Sequence, residues 1–189
     1  MQRTPSAKQA GFSLLEIIIA VSVIAILAGV ISLRSGNVID SARATKVVGL
    51  ANTLKLACAS YHADTGTYAR EYAGSSIGNR RLSGTQTVTG WNGPYIEAPL
   101  SVTGTNPYGG RINVYDRPNA SSVSGFDIDG DGIEDVTTLG NIMYLDSVED
   151  VEAKRIDNLM DAGLGGTWGD SGRVRYDAPN KRLLILIYF

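Results

Sequence analysis

Glu16 is the only formal charge between Phe12 and Leu33, in a run otherwise made of apolar and small residues. That run is about 22 residues, enough to cross a bilayer as a helix. A carboxylate held in such a segment is costly and marks a functional position, because only a paired cation offsets its desolvation. A second group of acids lies far downstream in Phe126-Asp127-Ile128-Asp129-Gly130-Asp131-Gly132-Ile133-Glu134-Asp135. Asp127, Asp129 and Asp131 alternate and Gly132 follows, as in the first half of a twelve-residue calcium loop. There, oxygens at positions one, three and five face one cation and glycine permits the turn at six. The carbonyl of Ile133 would supply position seven, and Asp135 stands at nine. Thr138 replaces the bidentate glutamate at twelve, so closure calls for another acid among Glu134, Asp146 and Glu149. Like charges this close repel unless a cation compensates. Calcium at Asp127, Asp129, Asp131, Ile133 and Asp135 is therefore the expected cofactor. The competing reading is an exposed acidic turn without an ion.

Nothing else assembles a reaction. His62 and Cys58 are single residues of their kinds. No Gly-x-Ser-x-Gly or His-Glu-x-x-His pattern occurs, and Gly165-Gly166 lacks the Lys-Ser/Thr of a phosphate cradle. An enzyme is not expected. A lone cysteine excludes an intrachain disulfide, and Cys58 reads as a small buried apolar group. His62 reads as a surface residue. The formal net charge of −2 does not suggest nucleic acid as a partner.

The elements follow from periodicity. Val47, Val48, Leu50, Ala51, Leu54, Ala57, Cys58 and Tyr61 recur at three- and four-residue spacing, with Arg43, Lys46, Asn52 and Lys55 between them, which predicts an amphipathic helix. No proline lies between Phe12 and Tyr61, although Gly36-Asn37 would permit a bend. The helix should stop at Asp64-Thr65-Gly66. Residues 70–90 read as loop with a short strand at Gln86–Val88. Asn92-Gly93-Pro94 makes a turn, and Arg111–Tyr115 alternates as a strand. Ser147 is the expected N-cap of a helix with Val148, Val151, Ile156, Leu159 and Met160 buried and Gly163 at its end. Arg173–Asp177, a turn at Ala178–Lys181 and Leu183–Phe189 form a hairpin whose last strand is buried.

Gly11-Phe12-Ser13-Leu14-Leu15-Glu16 followed by an apolar run resembles the processing signal of type IV prepilins and type II secretion pseudopilins. Tyr61–Tyr68 also resembles that family, and within Trp91–Tyr115 the segments Gly93-Pro94-Tyr95 and Asn106-Pro107-Tyr108-Gly109 are similar to the major pseudopilin, with Asn106 where that protein carries an acid. The family commonly carries a proline where this chain has Ala69. The resemblance implies cleavage after Gly11, N-methylation of Phe12, and pairing of Glu16 with the terminal amine of a neighbouring subunit. It implies an α+β pilin-like fold, with a long N-terminal helix packed on a small antiparallel β-sheet and a C-terminal helix and hairpin. The expected divisions are a leader at 1–11, a transmembrane helix at 12–33, a stalk helix at 34–66 and a globular domain at 67–189. The implied function is a structural fibre subunit, foremost a pseudopilin, with a type IV pilus subunit for motility, adhesion or DNA uptake as the alternative. A membrane-anchored calcium-dependent binding module that does not assemble is the third reading. The implied partners are further copies of the chain, prepilin peptidase, the inner-membrane assembly platform, other pseudopilins and membrane lipid. Arg3 and Lys8 ahead of the apolar run put the N-terminus in the cytoplasm. The domain would then face the periplasm, or the outside in a pilus.

Overall fold

The computed structural model describes residues 12–72, 77–100, 106–118, 123–164 and 166–189, without the side chains of 31–37 and Ile77. Gly11, Arg3, Lys8 and Gly165 therefore lie outside the described residues, as do the side chains at Gly36-Asn37. Helix α1 runs Leu14–Thr65, 52 residues, without a break. Ser13 starts it: its Oγ accepts the Glu16 N–H at 3.2 Å, half of a Ser-x-x-Glu capping box. Gly66 ends it as expected, at φ 68°, where its N–H returns to the His62 carbonyl at 2.8 Å. Glycine enters that left-handed region without the steric cost other residues meet.

The chain divides into two compact units, Met1–Ile39 and Asp40–Phe189. In the first, the α1 side chains from Leu14 to Val30 are exposed. Among the described residues no helix is long and apolar enough to cross a membrane.

In the second unit α1 buries Ala44, Val47, Ala51, Leu54, Cys58 and Tyr61, the three- and four-residue face expected of it. This face packs with Val114, Met143, Leu145, Leu183, Ile185 and Ile187 in one core. Each larger aliphatic side chain so buried contributes about 1.5–3 kcal/mol. The four-stranded sheet has the order β1-β2-β4-β3, from β1 (Ile112–Tyr115), β2 (Asn141–Leu145), β3 (Val174–Asp177) and β4 (Arg182–Tyr188), all antiparallel. The expected β1 and the β3–β4 hairpin are present, and the α+β expectation holds. The strand β2 was not anticipated. All five of its residues are buried, so it shows no alternation of apolar and polar. Alternate residues Ile142, Tyr144, Leu184 and Leu186 face a second core with Phe126 and Val136. The central strands are thus covered on both faces.

Three expectations fail. Gln86–Val88 is not a strand. Helix α2 runs Asp150–Met160 with Glu149, not Ser147, at the N-cap and no side-chain capping bond; Ser147 sits at φ 61° in the turn before it. Starting later, α2 buries Ala153, Ile156 and Asp157, while Val151 and Leu159 are 65 % and 52 % exposed. Val148 is buried ahead of the helix.

Polar staples tie the loops where no disulfide can. Buried Glu71 accepts the Leu82 N–H at 2.9 Å, the Ser83 N–H at 3.3 Å and the Ser83 hydroxyl. Its own backbone pairs with Val114 of β1 at 3.0 and 2.8 Å. Asn106 accepts the Tyr108 and Gly110 N–H groups at 2.7 and 3.1 Å and donates to the Arg111 and Asp146 carbonyls at 3.2 and 2.6 Å. A carboxylate could not make the two donations, which accounts for an amide at this position. Cys58 is buried, and burial pushes its thiol far above the ordinary value, so it is unreactive.

Candidate functional site

Phe126 and Val136 set the acidic loop in place. They pair across an antiparallel bridge, closed by N–H to carbonyl bonds of 3.0 and 3.1 Å between them. Both side chains lie in the second core under β2 and β4. The loop between them turns through Gly130 and Gly132, both at positive φ. Asp127 Oδ1 accepts the Gly130 N–H at 2.8 Å and Oδ2 the Gly132 N–H at 2.9 Å. Burial pushes the Asp127 carboxyl up, but the N–H groups of Gly132, Gly130 and Asp131, with Arg175, outweigh it and hold it below the ordinary aspartate value.

One oxygen each of Asp127, Asp129 and Asp135 lies within 4.8 Å of the others. Calcium binds oxygens at 2.3–2.6 Å, so ligands about 5 Å apart can share one ion. These three expected ligands fit calcium. Asp131 is not brought to the group; its Oδ1 accepts the Ile133 N–H at 2.8 Å. The Ile133 side chain is 69 % exposed.

The three acids expected to supply closure are engaged elsewhere. Glu134 pairs with Arg175 at 3.1 Å and with the Ser124 hydroxyl. Asp146 pairs with Arg111 at 2.8 Å, and Glu149 with Lys181 at 2.5 Å. A cavity of about 390 Å³ instead joins Asp127 to Thr167, Asp170 and Ser171 of the glycine-rich loop. The Gly172 N–H donates to the Asp127 carbonyl at 2.6 Å. Arg175 spans the gap from β3, donating to the Gly125 carbonyl at 3.1 Å and lying 3.7 Å from Asp170. Neither Asp170 nor Arg175 was singled out in the sequence, because neither belongs to the alternating motif.

Of the processing and assembly residues, Phe12 is 80 % exposed and Glu16 stands in the first turn of α1, where the positive end of the helix dipole favours a carboxylate. His62 is not simply a surface residue. It is half-buried between the Tyr68 and Tyr188 rings, with Nδ1 3.2 Å from the Tyr188 hydroxyl.

The comparisons with known proteins bear on both ends of this arrangement. Residues 6–32 match the family described as "Prokaryotic N-terminal methylation motif". Residues 38–127 match the family described as "PilW, C-terminal". No curated protein and no solved structure matches the chain. The methylation motif covers Gly11, Phe12 and Glu16, the pilin domain match runs from the stalk part of α1 through β1 to Asp127, and the fold between them is a long helix on a small antiparallel sheet. The chain is a type IV pilin-like protein.

Proposed function

We propose that the chain is a structural subunit of a helical fibre, held in the membrane by its N-terminal helix before assembly. One observation carries this reading: an exposed apolar segment of α1, Leu14–Val30, whose only charge is Glu16, one turn from Phe12, under a methylation-motif match. Prepilin peptidase cuts after Gly11 and methylates Phe12. An exposed apolar helix is unstable in water, so it resides in lipid and then among the helices of other copies. The carboxylate of Glu16, costly in either setting, is offset by the amine of a neighbouring Phe12. The subunit sits in the inner membrane with its N-terminus cytoplasmic and residues beyond the span periplasmic. Its role is structural rather than catalytic, and its partners are other copies and the assembly platform.

Two finer readings differ in the machine served. The lone cysteine and the Trp91–Tyr115 segment support a pseudopilin of a type II secretion-like system. The match to a PilW C-terminal domain supports a minor subunit of a type IV pilus. Calcium at Asp127, Asp129 and Asp135 is part of either reading, supported by the convergence of the three carboxylates; it would neutralise the loop and brace it against the sheet. A deletion strain separates the readings. Loss of secreted enzymes from the medium with surface fibres intact identifies a pseudopilin, and loss of surface fibres with secretion intact identifies a pilus subunit. A strain with both intact would contradict fibre assembly and leave the anchored binding module.

A further inference from the structure

We propose that the tip of the acidic loop of one copy docks head to tail into the outer groove of α2 on the next copy, with Ile133 between Val151 and Leu159 and Asp131 against Lys154. The contact rests on the fibre reading above and names one pair of surfaces through which the globular units meet. Both surfaces belong to the unit Asp40–Phe189. Helix α2 turns Ala153 and Ile156 into the core it shares with α1. At 3.6 residues per turn, the opposite side carries Val151, Lys154, Arg155, Asn158 and Leu159. With Asp150 these residues line a groove of about 480 Å³. Single apolar side chains at a surface are ordinary. Here Val151 and Leu159, both more than half exposed, stand at the two ends of one groove. They lie about 12 Å apart along the axis, which leaves room for one branched side chain between them.

The charges of the groove are unevenly engaged. Arg155 is taken within the chain by Asp40 of α1 at 3.6 Å. Asp150 lies in the first turn of α2, where the helix dipole favours it. Lys154 is exposed, stands over the Trp168 ring at 5.5 Å and acts on Asp157 through its field, without a salt bridge among the described residues. The acidic loop offers the converse: an apolar tip beside an acid. Ile133 is 69 % exposed. Asp127, Asp129 and Asp135 gather their oxygens within 4.8 Å of one another, and Arg175 holds Glu134. Asp131 is the exposed acid left at the tip. Its Oδ1 accepts the Ile133 N–H at 2.8 Å, which keeps the carboxylate and the apolar side chain together. The two surfaces lie on opposite faces of the sheet. Helix α2 packs into the core with Met143, Leu183 and Ile185, and the loop hangs from Phe126 and Val136 in the core with Ile142 and Leu184, residues that alternate along β2 and β4. Contact between two different patches is heterologous, and where its rotation does not close a ring it repeats along a helical fibre. One side chain in one groove is a small interface. It suffices where the N-terminal helices already hold the copies side by side at high effective concentration.

Cys58 is buried, so engineered thiols report alone. The full chain carrying both Ile133→Cys and Asn158→Cys is produced in cells with an active assembly machine. Sheared fibres are treated with a short bis-maleimide and resolved by denaturing electrophoresis. A ladder of covalent multimers is expected from the pair, and monomer alone from either single variant. Fibres that contain the pair and give no ladder overturn the contact. Dimers from a single-cysteine variant reveal a two-fold contact and overturn it as well. Should the cysteine pair not assemble where the parent does, charge exchange decides. Lys154→Asp and Asp131→Lys should each lower the amount of chain in fibres several-fold, and the two together should restore most of it. No loss in the single variants, or no recovery in the combination, overturns the contact. All of these outcomes leave the fibre reading standing, because the parent forms fibres. Absence of fibres from the parent overturns that reading and this contact with it.

Discussion

Replacing Glu71 separates the contribution of its hydrogen bonds from that of its charge. In Glu71→Ala the Leu82 N–H loses its acceptor while buried, and the Ser83 N–H and hydroxyl lose theirs at the edge of the core. A buried orphaned donor costs about 1–3 kcal/mol and a lost net hydrogen bond about 1 kcal/mol, so the sum is about 2–4 kcal/mol. At roughly 2–4 °C per kcal/mol for a domain of this size, the melting temperature should fall by about 5–15 °C. Glu71→Gln behaves differently. Its carbonyl oxygen accepts the two N–H groups and its amide donates to the Ser83 oxygen, so the staple survives without the charge. Burial raises the Glu71 carboxyl above the ordinary glutamate value, against the lowering effect of its bonds from Ser83 and Leu82 and of Arg80. The unfolded chain then releases this proton first. The stabilisation is complete below the unfolded value of about 4.3 and is lost as pH rises through the higher folded value. Near neutral pH Glu71→Gln should therefore melt above the parent, and below pH 4 the advantage should vanish. Thermal unfolding of the full chain in detergent, followed by near-ultraviolet circular dichroism from pH 3.5 to 8, measures both. A Gln variant as unstable as Ala at neutral pH would show that the fold requires the charge and would refute the reasoning.

Mass spectrometry of membrane-extracted protein should find an N-terminus at Phe12 carrying one extra methyl, and intact Met1 in a strain with active prepilin peptidase would exclude processing at Gly11. Chelator should lower the melting temperature, since an ion at 100 times its Kd stabilises the folded state by about 2.7 kcal/mol; calcium should restore it better than magnesium, and Asp129→Ala should melt alike with and without chelator. Phe126→Ala removes a fully buried ring from the second core and should cost about 3–5 kcal/mol, and it should weaken calcium binding by freeing the loop from the sheet. Calorimetric titration with calcium checks the last point, and unchanged affinity would mean that the loop keeps its shape without the Phe126–Val136 bridge.

Periodicity and glycine chemistry made the long helix, its stop at Gly66, β1 and the C-terminal hairpin legible, because each rests on interactions a few residues apart. The strand Asn141–Leu145 escaped because burial on both faces removes the alternation that marks a strand. Val151 and Leu159 were assigned inward by residue type. The face α2 turns inward was decided by a helix start three residues beyond Ser147. The acidic loop was visible as a motif and three of its acids converge, yet its surroundings were not readable. Glu134, Asp146 and Glu149 are taken by Arg175, Arg111 and Lys181, partners more than thirty residues away that no local pattern encodes. Glu71, Asp157 and Asp161 are buried although acids mostly face solvent, and no local pattern marks them out.

Assembly through Glu16 is tested most directly by the fibre itself. Cells producing the parent chain or Glu16→Ala are sheared, and the released material is probed with antibody to the globular unit and viewed by electron microscopy. Removing the charge makes the apolar helix more compatible with lipid, so membrane insertion and a Phe12 N-terminus should be retained. Fibres containing the chain should be present for the parent and lost or strongly reduced for Glu16→Ala. Normal fibres from Glu16→Ala, or none from the parent under conditions where the assembly machine is active, would contradict the account.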